Sequence, residues 1–405
     1  MKKKILFLSY NDNFGGAGIA AFNMFKSIPS KVFEKNFICF NKFSKNKKSK
    51  KIKLNFVSFI KISFAIIISK FFISFFTNNI KVKRSLAIFN TGLLKNSNLD
   101  KYDILHVHWF FNEIVSLDEI LKFKKKIIIS THDLWLSNGT FHYNVEIKNP
   151  LTKILEKKIL KDKINKIFSK KNIILTTPSQ WSKNQLTKII KKYNYQNKKI
   201  PKIHIIRNPI IKPNKIDQLK LRSKYFINNS SYIGLIHYEK KNDYVKGYDT
   251  LFKVLEKVNN DMSFKYFILF GNNTKNFPTQ KFKNLIFLNY GFIENDKISN
   301  IYCLADYLIL TSRQETFSQL TAESLINKRP VITFKKTGQA ELIKHKHNGY
   351  LANLNDIKDF IKGINFFYEN NFKDSKSLNK LMISNFYQEK FSNLSVGIVT
   401  VYSSK

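Results

Sequence analysis

Residues 307–334 read Tyr307-Leu-Ile-Leu-Thr311, Ser312-Arg-Gln-Glu315, Thr316-Phe-Ser318, Gln319-Leu-Thr-Ala-Glu323-Ser-Leu-Ile-Asn327 and, after Lys328-Arg329, Pro330-Val-Ile-Thr-Phe334. The two flanking runs are short, apolar and without polar alternation, so both of their faces must be covered, as in a parallel sheet flanked by helices. Between them the pattern predicts a loop at 316–318 and a helix over 319–327. Runs of the same kind recur outward in both directions. Ile5–Ser9, Phe37–Phe40, Ile104–His108, Lys126–Ser130, Ile173–Pro178 and Ile203–Ile206 form one series. Tyr232–His237, Phe264–Phe270, Leu285–Leu288, Tyr307–Thr311 and Pro330–Phe334 form a second. Two such series imply an α/β chain of two doubly wound domains. The boundary is expected near Pro209–Pro213, where two prolines cannot continue regular structure.

The chain has 405 residues, 43% of them hydrophobic and 15% aromatic, which excludes a disordered polycation. Its 70 Lys+Arg against 28 Asp+Glu make a formal charge of +42. The excess is almost wholly lysine, in a chain also rich in Ile, Asn and Phe, which is the profile of codons biased toward A and T. The distribution is more informative: residues 1–212 hold 42 basic and 11 acidic residues, and Lys35–Leu99 holds 14 basic residues and no acidic one. This implies that the first half meets something anionic. Cys39 and Cys303 are too few for a disulfide framework or zinc site and suit a reducing cytoplasm.

The first apolar run stops at Tyr10 and passes into Asn11-Asp-Asn-Phe-Gly15-Gly16, a buried strand and glycine loop rather than a secretory leader. Residues 57–76 are long enough to span a bilayer but contain Lys61 and Lys70. They read either as an interfacial segment or as a buried helix of the first domain. The Lys/Asn-rich tracts 42–53 and 190–202 read as exposed loops or helix faces.

Ligands of open α/β sheets bind at the C-terminal ends of strands, so motifs placed just after strands carry the chemistry. Gly15-Gly16-Ala17-Gly18 precedes an expected helix over 19–27, where close backbone approach and a helix N-terminus favour a phosphate. The spacing is not the dinucleotide fingerprint. Glu315 after one strand and Glu323 within the next helix can accept hydrogen bonds from sugar hydroxyls, beside amides that favour a phosphate. Arg313 is expected to pair with a carboxylate. His106 and His108 alternate on one strand and are expected on opposite faces, which would exclude a metal pair; His345 and His347 are expected in solvent.

The stretch from Glu315 to Leu325, with Arg329-Pro-Val-Ile332, Gly338, Glu341 and Asn348-Gly-Tyr-Leu351, resembles the donor-site signature of retaining family 4 glycosyltransferases. Gly15-Gly16-Ala17-Gly18, Asp103-Ile-Leu-His106-Val-His108-Trp109, Thr131-His132-Asp133-Leu-Trp135, Pro178-Ser-Gln-Trp-Ser182, Ile206-Arg-Asn208-Pro209 and Lys246-Gly247 extend the resemblance over most of the chain. The tryptophan-bearing segments and His142-Tyr143 are most similar to enzymes of colanic-acid-type and other surface polysaccharides. The resemblance implies the GT-B fold, two facing Rossmann-like domains with an interdomain cleft. It places an acceptor-side domain at 1–210, a nucleotide-sugar domain at 211–385, and a C-terminal helix at 386–405 that returns to the first domain.

The resemblance further implies transfer of a sugar from a nucleotide-diphosphate sugar to a lipid-linked or growing saccharide, for capsule, O-antigen or exopolysaccharide. Glu323 would take the ribose hydroxyls and Glu315 the donor sugar. Lys246 would neutralise the diphosphate together with the Gly15 and Gly16 amides, and His132 would lie near the reacting centre. Asn208, Thr316, Phe317 and Ser318 complete the implied donor site. Protein cations meeting the leaving charge make a metal unnecessary, and no Asp-x-Asp motif occurs; no cofactor beyond the nucleotide-sugar co-substrate is implied. The implied location is cytoplasmic, at the inner face of the membrane, with an anionic membrane surface as partner; nucleic acid, for which no motif occurs, is not the expected partner. The sequence departs from the family at Thr316 and Ser318, where glycines are common, at Asn208-Pro209, and before Lys246, where an arginine is missing and Lys240 and Lys241 are the candidates to replace it. Two other readings are a sugar-nucleotide epimerase on the same fold and a peripheral polyanion- or membrane-binding protein with a degenerate site.

Overall fold

The computed structural model describes residues 2–76, 82–110, 112–193, 201–210, 217–225, 227–228, 231–240, 243–260, 266–295, 297–370 and 401–403. Lys241, Pro213 and residues 386–400 of the expected C-terminal helix lie outside them. The chain divides into two compact units, with the change at Pro209/Ile210; residues 401–403 group with the first unit.

Unit 1 runs β1 (Lys3–Asp12), α1 (Gly15–Ser27), β2 (Phe33–Lys42), β3 (Ser49–Lys51), α2 (Phe56–Phe76), β4 (Ile104–Val107), α3 (Leu117–Leu121), β5 (Lys126–Ser130), α4 (Pro150–Phe168), β6 (Ile173–Thr177), α5 (Gln180–Tyr193) and β7 (Ile203–Ile205). Its sheet has the order β3-β2-β1-β4-β5-β6-β7, and every pairing is parallel. The order reverses direction between β1 and β4, so the loops after those strands open at a topological switch point.

Two expectations are corrected here. The 42–53 tract is not all loop: Ser49–Lys51 extends the sheet as edge strand β3. Asp12 makes this possible, because its buried carboxylate accepts from the Phe43 and Ser44 amides and the Ser44 and Ser49 hydroxyls. Nor is α2 a buried helix. It is the helix among the described residues that is long and apolar enough to cross a bilayer, yet Phe56, Phe64, Ile67 and Phe71 are all exposed. Lys35 is taken up inside the unit, where its ammonium donates to the Phe25, Lys26 and Ile28 carbonyls at the end of α1. Burial, helped by Lys48, lowers its pKa to about 8.

Unit 2 contains α6 (Gln218–Lys224), β8 (Ile233–His237), α7 (Tyr248–Asn259), β9 (Tyr266–Phe270), β10 (Ile286–Gly291), α8 (Ile298–Leu304), β11 (Tyr307–Ile309), α9 (Gln319–Ile326), β12 (Val331–Phe334), β13 (Gly349–Ala352) and α10 (Ile357–Glu369). The sheet order is β10-β9-β8-β11-β12-β13, again parallel throughout. Strand period two divides its core between the faces: Ile236, Phe267 and Leu269 join one apolar cluster, and Leu235, Ile268 and Phe270 the other. Strand β13 was not anticipated. It is short and begins with a glycine, and its pairing to β12 makes it a strand.

Candidate active site

In unit 2 the expected strand 307–311 ends at Ile309, because the chain then turns to serve the loop after β8. The Thr311 hydroxyl donates to the Lys246 carbonyl at 3.1 Å, and the Arg313 amide donates to the Val245 carbonyl at 2.8 Å. Gly247 sits at φ +65° with the Thr311 carbonyl 2.2 Å from where a Cβ would stand, so no other residue fits the contact. Asp243 shapes the same turn by accepting from the Val245 and Lys246 amides at 3.0 and 3.2 Å. The result is a pair that spans 69 residues of sequence: the Lys246 ammonium donates to Glu315 Oε1 at 2.8 Å, both side chains half-buried.

Arg313 pairs with a carboxylate as expected. Its fork meets both oxygens of Asp249 at 2.8 and 2.6 Å, which holds the Asp249 carboxyl below its usual range. It also donates to Tyr244, Thr250 and Asn355, tying three segments behind the Lys246 turn.

Thr316, Phe317 and Ser318 are all buried. Phe317 joins the core cluster with Leu310, Ala322 and Leu325, so its side chain anchors the loop and leaves any ligand contact to its backbone. Ser318 stands where the family commonly has glycine, and its φ of +67° explains that preference. The strain of about 1 kcal/mol or more is offset by the serine's cap on α9, with its hydroxyl oxygen accepting from the Thr321 amide at 3.2 Å. Gly338 closes over the loop: its amide donates to the Glu315 carbonyl at 2.7 Å, and a Cβ there would collide with the Thr316 carbonyl.

Glu323 lies within α9, where Tyr302 from α8 donates to its carboxylate at 3.1 Å. Burial pushes its pKa up to about 7, against the hydrogen bonds from Gln319 and Tyr302. His237, at the end of β8, was not singled out in the sequence. Burial and then the Lys246 charge lower its pKa to about 3, so it faces the pair as a neutral imidazole. No sequence signal marks it beyond its place after a strand.

In unit 1, Gly15 and Gly16 form the first turn of α1 rather than a loop ahead of it, and a Cβ on either would meet nothing within 4 Å. Asn208 is buried, and the Pro209 carbonyl beside it accepts from Asn23 of α1 at 3.0 Å, so the pre-linker turn is fastened to the glycine-bearing helix. His132 follows β5 and shares a hydrogen bond of 2.8 Å with His108, at the end of β4. Burial brings the His132 pKa to about 4, leaving this pair neutral with one hydrogen between them.

The expectation for His106 and His108 is corrected: residues two apart on a strand share a face, and their rings lie 4.2 Å apart. His106 continues inward to Ser130 at 2.7 Å and to the Tyr402 hydroxyl, so the described end of the chain is locked beneath the histidines. Among the described residues no group of three or more His, Cys, Asp or Glu is arranged to hold a metal ion. Asp133 receives Trp109 Nε1 at 2.8 Å, His142 Nδ1 at 2.6 Å and the Trp135 amide at 2.9 Å. Burial would raise its pKa, but His142 and these donors hold it low. A pocket lined by His108, Trp109, His132, Asp133 and Trp135 opens above this network. The chemistry of the second unit is thus a cation held by a carboxylate beside a capped helix start, and that of the first is a set of neutral imidazoles with an indole wall.

Residues 217–385 match the family described as glycosyl transferases group 1. A Klebsiella pneumoniae protein described as an uncharacterized 41.2 kDa protein in cps region is 22% identical over 284 residues, which is 69% of this chain and 73% of that protein. The structure of HepE from Anabaena in complex with UDP and glucose is 14% identical and covers 100% of both chains at a TM-score of 0.66. WaaG, a glycosyltransferase involved in lipopolysaccharide biosynthesis, is 13% identical at a TM-score of 0.63, over 97% of this chain and 99% of that one. The second unit thus matches the group 1 glycosyl transferases over residues 217–385, and the whole chain shares the GT-B fold of these structures, two parallel-sheet α/β units.

Proposed function

We propose that the protein is a retaining, metal-independent glycosyltransferase that moves a sugar from a nucleoside-diphosphate sugar to a lipid-linked or growing saccharide in surface polysaccharide synthesis, in the cytoplasm at the membrane. The observation that carries this reading is the Lys246–Glu315 pair, a cation beside a carboxylate within the family-matched segment. As the bond from C1 to the diphosphate breaks, charge grows on the departing phosphate and the sugar becomes oxocarbenium-like. Lys246 stabilises the first. Glu315 has a second carboxylate oxygen for the sugar hydroxyls. The relatives support the setting: HepE is held with UDP and glucose, and the Klebsiella protein lies in a cps region.

A thermal-shift screen against UDP-, GDP- and dTDP-sugars tests the donor class, since a ligand that binds the folded state raises its unfolding temperature. One donor is expected to stand out, and its transfer product, read by NMR, is expected to keep the anomeric configuration. An isomerised nucleotide sugar formed without acceptor would establish the epimerase instead.

Glu323 adds a pH test. Its carboxyl moves from 4.5 to about 7 on folding, so between those values the folded state holds a proton that the unfolded chain releases. Its stabilising contribution is full below pH 4.5 and falls as pH rises to about 7. A ribose hydroxyl donating to this group favours the carboxylate, so donor affinity should rise as pH passes through about 7. Calorimetric titration with the nucleotide across that range checks it, and Glu323→Gln should remove the dependence. A flat profile in the unaltered protein would remove Glu323 from the donor site.

A further inference from the structure

Helix α2 is inverted relative to a soluble surface helix. At about 100° per residue, Ser58, Ile62, Ala65 and Ser69 fall in one line along it, and these are the buried positions. Ile60, Phe64, Ile67 and Phe71 fall in the opposite line and are 50%, 59%, 64% and 71% exposed. The narrow inner line seats Ile62 in the core of unit 1, while the large side chains point to solvent. An apolar helix is covered either by protein or by lipid, and the described residues leave Ile60, Phe64 and Ile67 half or more exposed. Lys61 and Lys70, both exposed, stand about 100° to one side of the outer line and about 80° to the other. The seven lysines of 42–53 are exposed as well and lead directly into the helix.

We propose that α2 lies in the interface of an anionic lipid bilayer, with the Ile60–Phe64–Ile67–Phe71 line among the acyl chains and Lys61 and Lys70 reaching back to lipid phosphates on either flank. Their alkyl stems follow the apolar surface while the ammonium groups stay at headgroup level. Charge complementarity selects this occupant. A second copy of the chain would set the same lysines against themselves, whereas the acid-free run from Lys35 to Leu99 matches phosphate headgroups. The packed inner line keeps the helix on unit 1 and parallel to the surface, which a span would forbid. This inference rests on the membrane setting of the proposed function, and its test is separable from the transfer reaction because vesicle binding is read without donor or acceptor.

The test is co-sedimentation of the full chain with vesicles of phosphatidylglycerol and phosphatidylcholine, against vesicles of phosphatidylcholine alone. Binding is expected to the anionic vesicles and to weaken with salt. Ile67→Asp/Phe71→Asp should lower the partition coefficient by about tenfold or more. Lys61→Gln and Lys70→Gln should each lower it about fivefold and flatten the salt dependence. These side chains are exposed, so the unfolding temperature should not change; Phe64→Ser is a milder second variant that should show the same loss in smaller measure. The proposal is overturned if the outer-line variants bind vesicles as the unaltered chain does, or if neutral vesicles bind equally well. A salt-resistant dimer that the same substitutions split, without vesicle binding, overturns it in favour of a second copy.

Discussion

Lys246→Ala is expected to lower kcat/KM for sugar transfer by about 10²–10³-fold, roughly 3–4 kcal/mol of transition-state stabilisation, with the fold intact. The lysine is half-buried at the end of a turn whose shape is set by Asp243, Gly247 and Thr311, and none of these needs its ammonium. Two effects add in the loss. The cation that the proposed mechanism sets opposite the departing diphosphate is gone, and Glu315, which took a 2.8 Å bond from it, is left as an uncompensated negative charge in the same place. The second effect can be separated. Adding Glu315→Gln to Lys246→Ala removes that charge, so nucleotide affinity should recover in part although turnover does not. Lys246→Arg should restore little, because a planar fork does not reproduce a point charge reaching one carboxylate oxygen. Steady-state rates with calorimetric nucleotide affinities decide the matter. Turnover within a few fold of the unaltered enzyme would exclude Lys246 from the chemistry.

Arg222→Ala is expected to be the most damaging substitution away from the site, at about 3–5 kcal/mol of stability. Arg222 lies on α6, and its buried guanidinium donates to the Leu304 carbonyl at 3.0 and 2.8 Å, to the Ser231 carbonyl at 3.1 Å and to Asp306 at 2.7 Å. Asp306 in turn accepts the Ile233 amide at 2.7 Å, which fixes the start of β8. Truncation leaves a buried carboxylate and two carbonyls without their donor. An unfolding temperature lower by about 10 °C or more is expected by calorimetry. Arg222→Met/Asp306→Val, which removes both charges, should cost less than the single change; if it costs more, the pair stabilises beyond its own desolvation.

Much of the fold was open to reading before any coordinates. Parallel strands covered on both faces must be built from unbroken apolar runs, and eleven such runs were visible, with their starts and ends within a few residues. Strands β3 and β13 were missed for the same reason in reverse. They are edge strands, whose short mixed sequences become strands only by pairing with a neighbour. The site divided in the same way. Glu315 and His132 follow apolar runs, where ligands of such sheets bind, and Glu323 lies on the helix after one; Lys246 was named from the family resemblance alone. The neighbours His237 and Tyr302 could not be named, since neither carries a local mark, and the pairing of His132 with His108 joins two strand ends that the sequence does not place side by side.

Residue order was thus enough for the class of fold and the two-unit plan, because burial imposes a period and a composition on each element separately. Folding added the contacts between elements distant in the chain. Lys246 meets Glu315 across 69 residues, and Tyr402 reaches His106 across 296. It also settled which way α2 turns its apolar face. A helix apolar on all sides has no preferred inner face in its sequence; the small side chains of Ser58, Ala65 and Ser69 allow close packing on unit 1, and that contact turns the phenylalanines outward.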